Sequence, residues 1–334
     1  MKYAVIGPGA IGSIIYCILE DKRDAILITK PYQLKILKEK GLKIKEFNKA
    51  VRTIRNVNVT SSFPKLKEVD VIFLCVKSTD TKEVAKKIKG NVKKSALIIS
   101  LQNGVRNTDI LSKITGITSI PGVVTFNATL NEIGEALLTM KGNIYLQNNK
   151  EFEYILNDIR EIFNSSSIKI KLVDDITSLA WSKLVINLQN AITAITGQTI
   201  MESLIDSISR KIIYHTLKEG IKVVEKKGVK LGFSFILNPK LLLFLLRLPT
   251  FFIRFGVRLM RIESDAKSSM LQSILRGKPT EIEFLNGEID KLARNMGLKA
   301  PINRELVQIV KEMERRKEHR FISPLELAAT LGIN

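Results

Sequence analysis

The chain has 334 residues, of which 45% are hydrophobic and 26% charged, a composition typical of a globular protein with about two domains. Its formal net charge is +20, but the Lys and Arg residues are interleaved with Glu and form no basic arm. This argues against nucleic-acid binding as the main function. Two cysteines, Cys17 and Cys75, argue against a disulfide framework and fit a reducing cytoplasm. Because the first residues already predict a strand, we expect no signal peptide.

The N-terminal run Tyr3–Ile6 predicts a strand that leads directly into a G-x-G-x-x-G sequence and then into an apolar helical stretch. In this context the motif indicates dinucleotide binding: the first glycine permits a tight turn, the second admits the pyrophosphate, and the third packs helix against strand. A glycine-rich turn that binds nothing is the alternative. The residues expected to hold the cofactor here are Gly7, Pro8, Gly9, Ala10, Ile11 and Gly12.

Further short apolar runs alternate with helical stretches up to about residue 173, which predicts βαβ units and a parallel sheet. The predicted strands are Tyr3–Ile6, Ala25–Thr29, Val69–Val76, Ala96–Ser100, Ile117–Phe126, Glu135–Met140, Ile144–Leu146 and Ile168–Val173. The predicted helices between them include Gln33–Lys40, Thr81–Lys89 and Glu151–Phe163. We therefore expect an α/β Rossmann-type domain over residues 1–172.

The remaining sequence has helical periodicity and few strand signals, so we expect an all-α domain over residues 173–334. Its predicted helices are Leu179–Ile195, Ser207–Lys227, Ser268–Arg276, Glu281–Met296 and Asn303–Lys317. A very apolar stretch, residues 241–255, is interrupted by Arg247, Pro249 and Arg254 and is too short to span a membrane. We interpret it as a buried or subunit-contact helix pair. A membrane-surface element and a lid over the active site are alternatives.

The choice between NADPH and NADH is indicated by the end of the second predicted strand. NAD-dependent enzymes place an acidic residue there to bind the ribose 2′-hydroxyl. Lys30 occupies that place here, and a cation would stabilise a 2′-phosphate. NADPH is therefore favoured, with NADH possible and a solvated surface lysine as the alternative.

Candidate catalytic residues begin in the sequence Trp181-Ser-Lys183-Leu-Val-Ile-Asn187-Leu-Gln-Asn190. A continuous helix would place Lys183, Asn187 and Asn190 on one face. A solvated polar stripe is the alternative for these three, and a capping or surface carboxylate is the alternative for Glu281.

Taken together, the motifs resemble the ketopantoate reductase family over nearly the whole chain. They are the glycine motif, Gln102-Asn103-Gly104, W-x-K-L-x-x-N, Ser268-Ser269-Met270-x-Gln, T-E-I-x-x-x-N-G and Gly297-x-x-x-Pro301. The resemblance implies hydride transfer from NADPH to 2-oxo-pantoate, which yields pantoate for coenzyme A synthesis.

The resemblance also implies roles at matching positions. Lys183 would be the general acid, Glu281 would hold or tune it and contact the cofactor side, and Asn103 would lie by the nicotinamide and near the substrate. The substrate's hydroxyl and carboxylate would be bound by Asn187, Asn190 and Ser269. Lys77 would lie near the cofactor, and Ala128 would line the nicotinamide pocket. The two histidines, His215 and His319, offer no good acid for a histidine-based mechanism, and no Cys/His cluster has metal-ligand spacing.

One departure concerns the substrate. The family often has its second asparagine eight residues after the lysine, where this chain has Ala191, and Asn190 comes one residue earlier. A reductase of another 2-oxo acid or an imine, similar to opine dehydrogenases, therefore remains open. A non-catalytic dinucleotide-binding protein is the other alternative. We expect a small-molecule substrate, a homodimer, and neither a nucleic-acid nor a membrane partner.

Overall fold

The computed structural model describes residues 1–46, 50–232, 238–259, 265–316 and 320–333. The chain forms two compact units. The first contains Met1–Gln102 and Arg106–Ile176, and the second contains Asn103–Val105 and Thr177–Asn334.

The strands of the first unit are β1 (Lys2–Ile6), β2 (Asp24–Ile28), β3 (Leu42–Lys45), β4 (Arg52–Ile54), β5 (Val59–Thr60), β6 (Val71–Leu74), β7 (Leu97–Ser100), β8 (Ser119–Val124), β9 (Asn127–Glu132), β10 (Glu135–Met140), β11 (Ile144–Gln147) and β12 (Ile170–Val173). Its helices are α1 (Ala10–Glu20), α2 (Pro31–Lys40), α3 (Thr81–Ile88), α4 (Asn107–Thr115) and α5 (Glu153–Asn164).

The main sheet of this unit has the order β12-β11-β8-β7-β6-β1-β2-β5 in the described residues. From β5 to β8 all neighbouring strands are parallel. The apolar runs are continuous because both faces are buried: Tyr3 and Val5 of β1 belong to one core layer, and Ala4 and Ile6 to the other. The strand order reverses between β1 and β6, and ligands of such sheets bind at the carboxyl ends of the strands at this reversal.

A second sheet, with the order β4-β3-β10-β9 in the described residues, was not predicted apart from β10. Its strands carry weak signals: β3 reads LKIK and β9 reads NATLNE. Short strands that are half exposed lack the continuous apolar run that identifies a buried parallel strand.

In the described residues of the second unit the regular elements are all helices, which confirms the expected fold class. Its helices are α6 (Ile176–Asn187), α7 (Asn190–Thr196), α8 (Ile200–Ile205), α9 (Ser207–Lys226), α10 (Pro239–Leu245), α11 (Thr250–Leu259), α12 (Ser269–Leu275), α13 (Asn286–Asn295), α14 (Pro301–Arg316) and α15 (Pro324–Thr330). Lys317, where the last predicted helix ends, and His319 lie outside the described residues.

The predicted continuous helix Leu179–Ile195 is wrong, because the helix is interrupted between α6 and α7. The carbonyl of Leu188 at this break accepts a hydrogen bond of 3.2 Å from Asn286 Nδ2, on α13. The same amide nitrogen donates to Asn303 Oδ1 of α14, at 3.0 Å. Both asparagines are fully buried, and the break is therefore held by side chains distant in sequence.

The apolar stretch 241–255 forms a helix pair, α10 and α11, as predicted, but its aromatic residues are not buried within the chain, which leaves the subunit contact as a prediction. Phe244, Phe251, Phe252 and Phe255 are 56% to 74% exposed. Among the residues that the structure describes, none of the helices combines the length and the apolar character needed to cross a bilayer.

Candidate functional site

The glycine turn after β1 is built by close backbone contacts. Gly7 has φ +100°, in the region that favours glycine, and a Cβ placed there would lie 2.7 Å from Val76 Cγ1. A Cβ at Gly12 would lie 2.0 Å from the carbonyl oxygen of Gly7. Gly12 is therefore required by the packing of α1 against the turn, and Gly7 by its positive φ and by its contact with Val76 after β6, whether or not a ligand is bound.

Gly9 differs from its two neighbours in the motif. It precedes α1 with φ −74° and ψ −176°, an extended conformation open to any residue, and a Cβ there would meet no described atom within 4 Å. No side chain in the described residues caps α1, and its first turn carries no acid. The exposed N–H groups and the helix dipole favour an anion at this point. Packing within the protein does not explain this glycine, whereas close approach of a pyrophosphate does.

A cavity of about 230 Å³ adjoins the turn in the first unit. Its lining includes Gly7 and Pro8 from the turn, Lys30 after β2, and Phe63 and Asp80. The glycine turn, the open helix end and this cavity fit the phosphates and the adenosine half of a dinucleotide.

Lys30 lies two residues after the end of β2 and directly before α2, at the place expected from the sequence. Its Nζ is 3.3 Å from Asp80 Oδ2, and both residues line the cavity. Sequence reasoning missed Asp80, because the pair joins positions fifty residues apart. The predicted topology was the one source from which this pair could have been inferred, since the loops after β2 and β6 lie at the same edge of a parallel sheet.

Lys77 follows β6 on the same edge of the sheet. Its carbonyl accepts a hydrogen bond of 3.2 Å from Gln102 Nε2, and that nitrogen also donates to Thr81 Oγ1 at 2.8 Å. Ala128, the other cofactor residue predicted in this unit, lies in β9 and packs partly buried against the core.

Lys183 lies on α6 of the helical unit, beside the buried side chains of Trp181, Leu184 and Val185. Burial of its ammonium group lowers the pKa of Lys183 to about 8, while the negative charge of Glu281 acts in the opposite direction. A lysine in this range exchanges its proton near neutral pH, as a general acid must. A freely solvated lysine would not have this property.

Glu281 precedes a short 3₁₀ helix, Ile282–Phe284. Asn103 Nδ2 donates a hydrogen bond of 3.0 Å to its Oε2. The structure therefore brings together Lys183, Glu281 and Asn103, which lie far apart in the sequence and which only the family resemblance had linked.

The predicted substrate residues lie at the ends of helices. Asn187 is the last residue of α6 and Asn190 the first of α7, so the interruption removes the expected alignment of Asn190 with Lys183 on one continuous face. Ser269 is exposed at the start of α12. Its neighbour Ser268 is buried and caps α12, with Oγ accepting from Leu271 N and lying 2.7 Å from Thr193 Oγ1. Ser268 is thus a structural residue that leaves Ser269 at the surface.

Two family models match the chain. The model described as "Ketopantoate reductase PanE/ApbA" matches residues 3–151, and the model described as "Ketopantoate reductase PanE/ApbA C terminal" matches residues 175–314. Together they cover most of both units.

Relatives agree with this assignment. A 2-dehydropantoate 2-reductase of Pyrococcus horikoshii is 28% identical over 323 residues, which cover 94% of this chain and 98% of the relative. The crystal structure of a PanE/ApbA family ketopantoate reductase from Ralstonia eutropha JMP134 superposes with a TM-score of 0.81 at 26% identity, covering 95% of this chain and 99% of that one.

The same fold occurs in a D-mandelate dehydrogenase bound to NADH and anilino(oxo)acetate, with a TM-score of 0.79 at 22% identity and coverage of 95% and 99%. At that identity the likeness concerns the fold alone. The two family models, which span both units, decide the assignment: this chain belongs to the ketopantoate reductase PanE/ApbA family.

Proposed function

We propose that this protein reduces 2-dehydropantoate (ketopantoate) to (R)-pantoate with NADPH, in the route to pantothenate and coenzyme A. The observation that carries the proposal is the environment of Lys183. Burial lowers the pKa of Lys183 to about 8, and the carboxylate of Glu281, which interacts with its charge, accepts a hydrogen bond from Asn103. Membership of the family supplies the reaction type. A cavity and glycine turn that fit a dinucleotide supply the place for the cofactor.

Lys183 is the proton donor in this proposal. Bound NADPH supplies the hydride that the ketone carbon accepts. The Lys183 ammonium stabilises negative charge on the ketone oxygen and then donates a proton to it, which gives the alcohol and leaves a neutral amine. A pKa of about 8 lets that amine recover its proton from water near neutral pH. Glu281 opposes the lowering of that pKa and so keeps the amine protonated before each turnover.

The remaining predicted residues bind and orient. Asn187, Asn190 and Ser269 are proposed to hold the hydroxyl and carboxylate of the substrate. Lys77, Asn103 and Ala128 are proposed to lie on the nicotinamide side of the cofactor. Amide and hydroxyl side chains suit the substrate role, because they can donate hydrogen bonds to a carboxylate and can both donate to and accept from a hydroxyl.

Substrate identity is tested by following the oxidation of NADPH with ketopantoate and with a panel of other 2-oxo acids, including an aromatic one, and an imine. A clear preference for ketopantoate is the expected result. Turnover of only another 2-oxo acid, or of only an imine, would be compatible with Lys183 as the acid but would change the proposed substrate. This outcome is open because the second asparagine of this chain, Asn190, comes one residue earlier than is usual in the family. Cofactor binding without turnover of any compound would support a non-catalytic dinucleotide-binding protein.

Lys30→Glu is expected to raise the KM for NADPH more than the KM for NADH, because the new carboxylate repels the 2′-phosphate. Steady-state kinetics with both cofactors measure this difference. Lys38→Glu, which makes the same charge change at an exposed position in the last turn of α2, is the control. An equal effect of Lys30→Glu on the two cofactors would make Lys30 a bystander.

We also propose a homodimer in which the exposed phenylalanines of α10 and α11 contact a second copy. Exposed aromatic clusters mark interaction surfaces, and buried aromatics dominate the energetics of interfaces. The double variant Phe251→Ser, Phe252→Ser is expected to sediment as a monomer where the wild type sediments as a dimer.

Tyr154→Ser is the matched control, because it removes an aromatic side chain that is 77% exposed in the first unit. A wild type that stays monomeric as its concentration is raised contradicts the dimer. Co-sedimentation of the wild type with liposomes would instead assign α10 and α11 to a membrane surface.

A further inference from the structure

We propose that Asp80 is a specificity-determining residue of the cofactor site, which restrains the preference for NADPH by neutralising Lys30 and accepting the ribose 2′-hydroxyl of NADH. The inference rests on the proposed function for the location of the cofactor. It adds a second residue to that site, with an effect opposite to that of Lys30.

The first observation is the position of the pair. Lys30 comes from the loop after β2, whereas Asp80 ends the 3₁₀ helix Ser78–Asp80 that follows β6. Their side chains meet at 3.3 Å, and both line the cavity next to the glycine turn. The carboxylate therefore occupies the part of the site in which NAD-dependent enzymes of this fold place an acid, although it comes from a different loop.

The second observation is that the Asp80 side chain does not cap the helix that it precedes. Asp80 is the residue before α3, where an aspartate normally accepts a hydrogen bond from the backbone of the first turn. It makes no such capping bond in the structure. Its Oδ2 instead contacts Lys30 in the cavity. Side-chain capping thus does not account for an acid at this place.

The third observation is the balance of charge in the cavity. Four of its lining residues carry charged side chains, and they form two ion pairs: Lys30 with Asp80, and Lys87 with Glu83 at 2.6 Å. A phosphate monoester carries close to two negative charges near neutral pH. A 2′-phosphate must therefore compete with Asp80 for Lys30 and lie close to a negative carboxylate. A 2′-hydroxyl can donate a hydrogen bond to that carboxylate.

Asp80→Asn keeps the size of the side chain and removes its charge. The variant frees Lys30 for the 2′-phosphate and weakens the acceptor for the 2′-hydroxyl, so affinity for NADPH rises and affinity for NADH falls. We expect the ratio of the two dissociation constants to shift toward NADPH by about fivefold or more. The gain in NADPH affinity and the loss of NADH affinity are each modest near the surface, but both change the ratio in the same direction.

Binding is measured by titrating the protein with NADPH and with NADH in the absence of substrate, at low and high salt. The preference gained by Asp80→Asn should shrink at high salt, because exposed charges are screened. Glu132→Gln is the matched control: it removes a carboxylate 3.2 Å from Lys40, at the other end of α2 and outside the cavity. In a Lys30→Gln background, Asp80→Asn should have a smaller effect on NADPH, because only the direct repulsion between Asp80 and the 2′-phosphate is then relieved.

An unchanged ratio in Asp80→Asn, or an equal shift in Glu132→Gln, overturns the inference. A full effect of Asp80→Asn in the Lys30→Gln background would also overturn the pairing. Absence of binding of either cofactor to the wild type defeats this inference together with the proposed cofactor. The expected shift in binding from a protein that does not reduce ketopantoate would support the inference and reject the substrate.

Discussion

Lys183→Ala is expected to lose about 10²-fold or more in kcat with ketopantoate, while the protein stays folded and still binds NADPH. The loss has this size because a positioned general acid contributes about 10²- to 10⁴-fold to a rate. Stopped-flow or steady-state oxidation of NADPH measures the rate. Lys222→Ala, which truncates an exposed lysine of α9, is the matched control and should turn over like the wild type.

The pH dependence of the wild type provides a second test of the same residue. The ammonium form of Lys183 donates the proton, and its pKa is about 8. Activity should therefore be retained below that pH and decline as the pH rises through about 8. In Lys183→Arg the guanidinium stays protonated, so any residual activity should not show this decline. Wild-type turnover by Lys183→Ala, or an identical alkaline decline in Lys183→Arg, contradicts the assignment.

Gly9→Ala is expected to weaken cofactor binding by about tenfold or more without lowering the melting temperature. A methyl group fits the protein here, since no described atom lies within 4 Å of the Cβ position and the backbone is extended. The same methyl group would stand where a pyrophosphate approaches the helix end, and one overpacked contact costs about 1–3 kcal/mol. Cofactor titration and thermal unfolding of the same preparation measure the two quantities.

Gly12→Ala is the comparison variant, which separates an effect on cofactor binding from an effect on folding. Its Cβ would lie 2.0 Å from the carbonyl oxygen of Gly7, so this variant should lose stability as well as cofactor. Gly9→Ala with unchanged cofactor affinity would contradict a close approach of the pyrophosphate to Gly9, and a fall in its melting temperature would show that Gly9 is structural.

The parallel sheet could be predicted because its determinants are local. Strands such as β1 and β6 are buried on both faces, and this produces continuous apolar runs that a single sequence displays. The glycine turn was equally visible, since its motif lies within six consecutive residues, Gly7 to Gly12. The small second sheet escaped prediction because β3 and β9 expose one face and carry polar residues there.

The site itself was only partly predictable. Periodicity suggested that Lys183 shares a helix face with other polar residues, but its neighbour Glu281 lies nearly a hundred residues further along the chain. The pairing of Lys30 with Asp80 escaped for the same reason. Contacts between distant loops are set by topology, and a pattern read along one chain contains no direct record of them. The resemblance to a family linked Lys183 with Glu281, but it gave no indication that Asp80 contacts Lys30.

The hydrogen bond from the Asn286 side chain to the Leu188 carbonyl suggests a way in which proteins of this fold can change substrate. On an uninterrupted helix, the position seven residues after Lys183 lies about 20° from it and the next position about 80° from it, so the direction of an asparagine is set by its place in the sequence alone. At the break between α6 and α7 helix geometry alone no longer fixes the direction of Asn190, because the Leu188 carbonyl accepts a hydrogen bond from Asn286 of α13, which also bonds Asn303 of α14. Substitutions at Asn286 or Asn303, which are buried in the core, would thus redirect Asn190, the proposed substrate residue, and leave Lys183, the proposed acid, in place on α6.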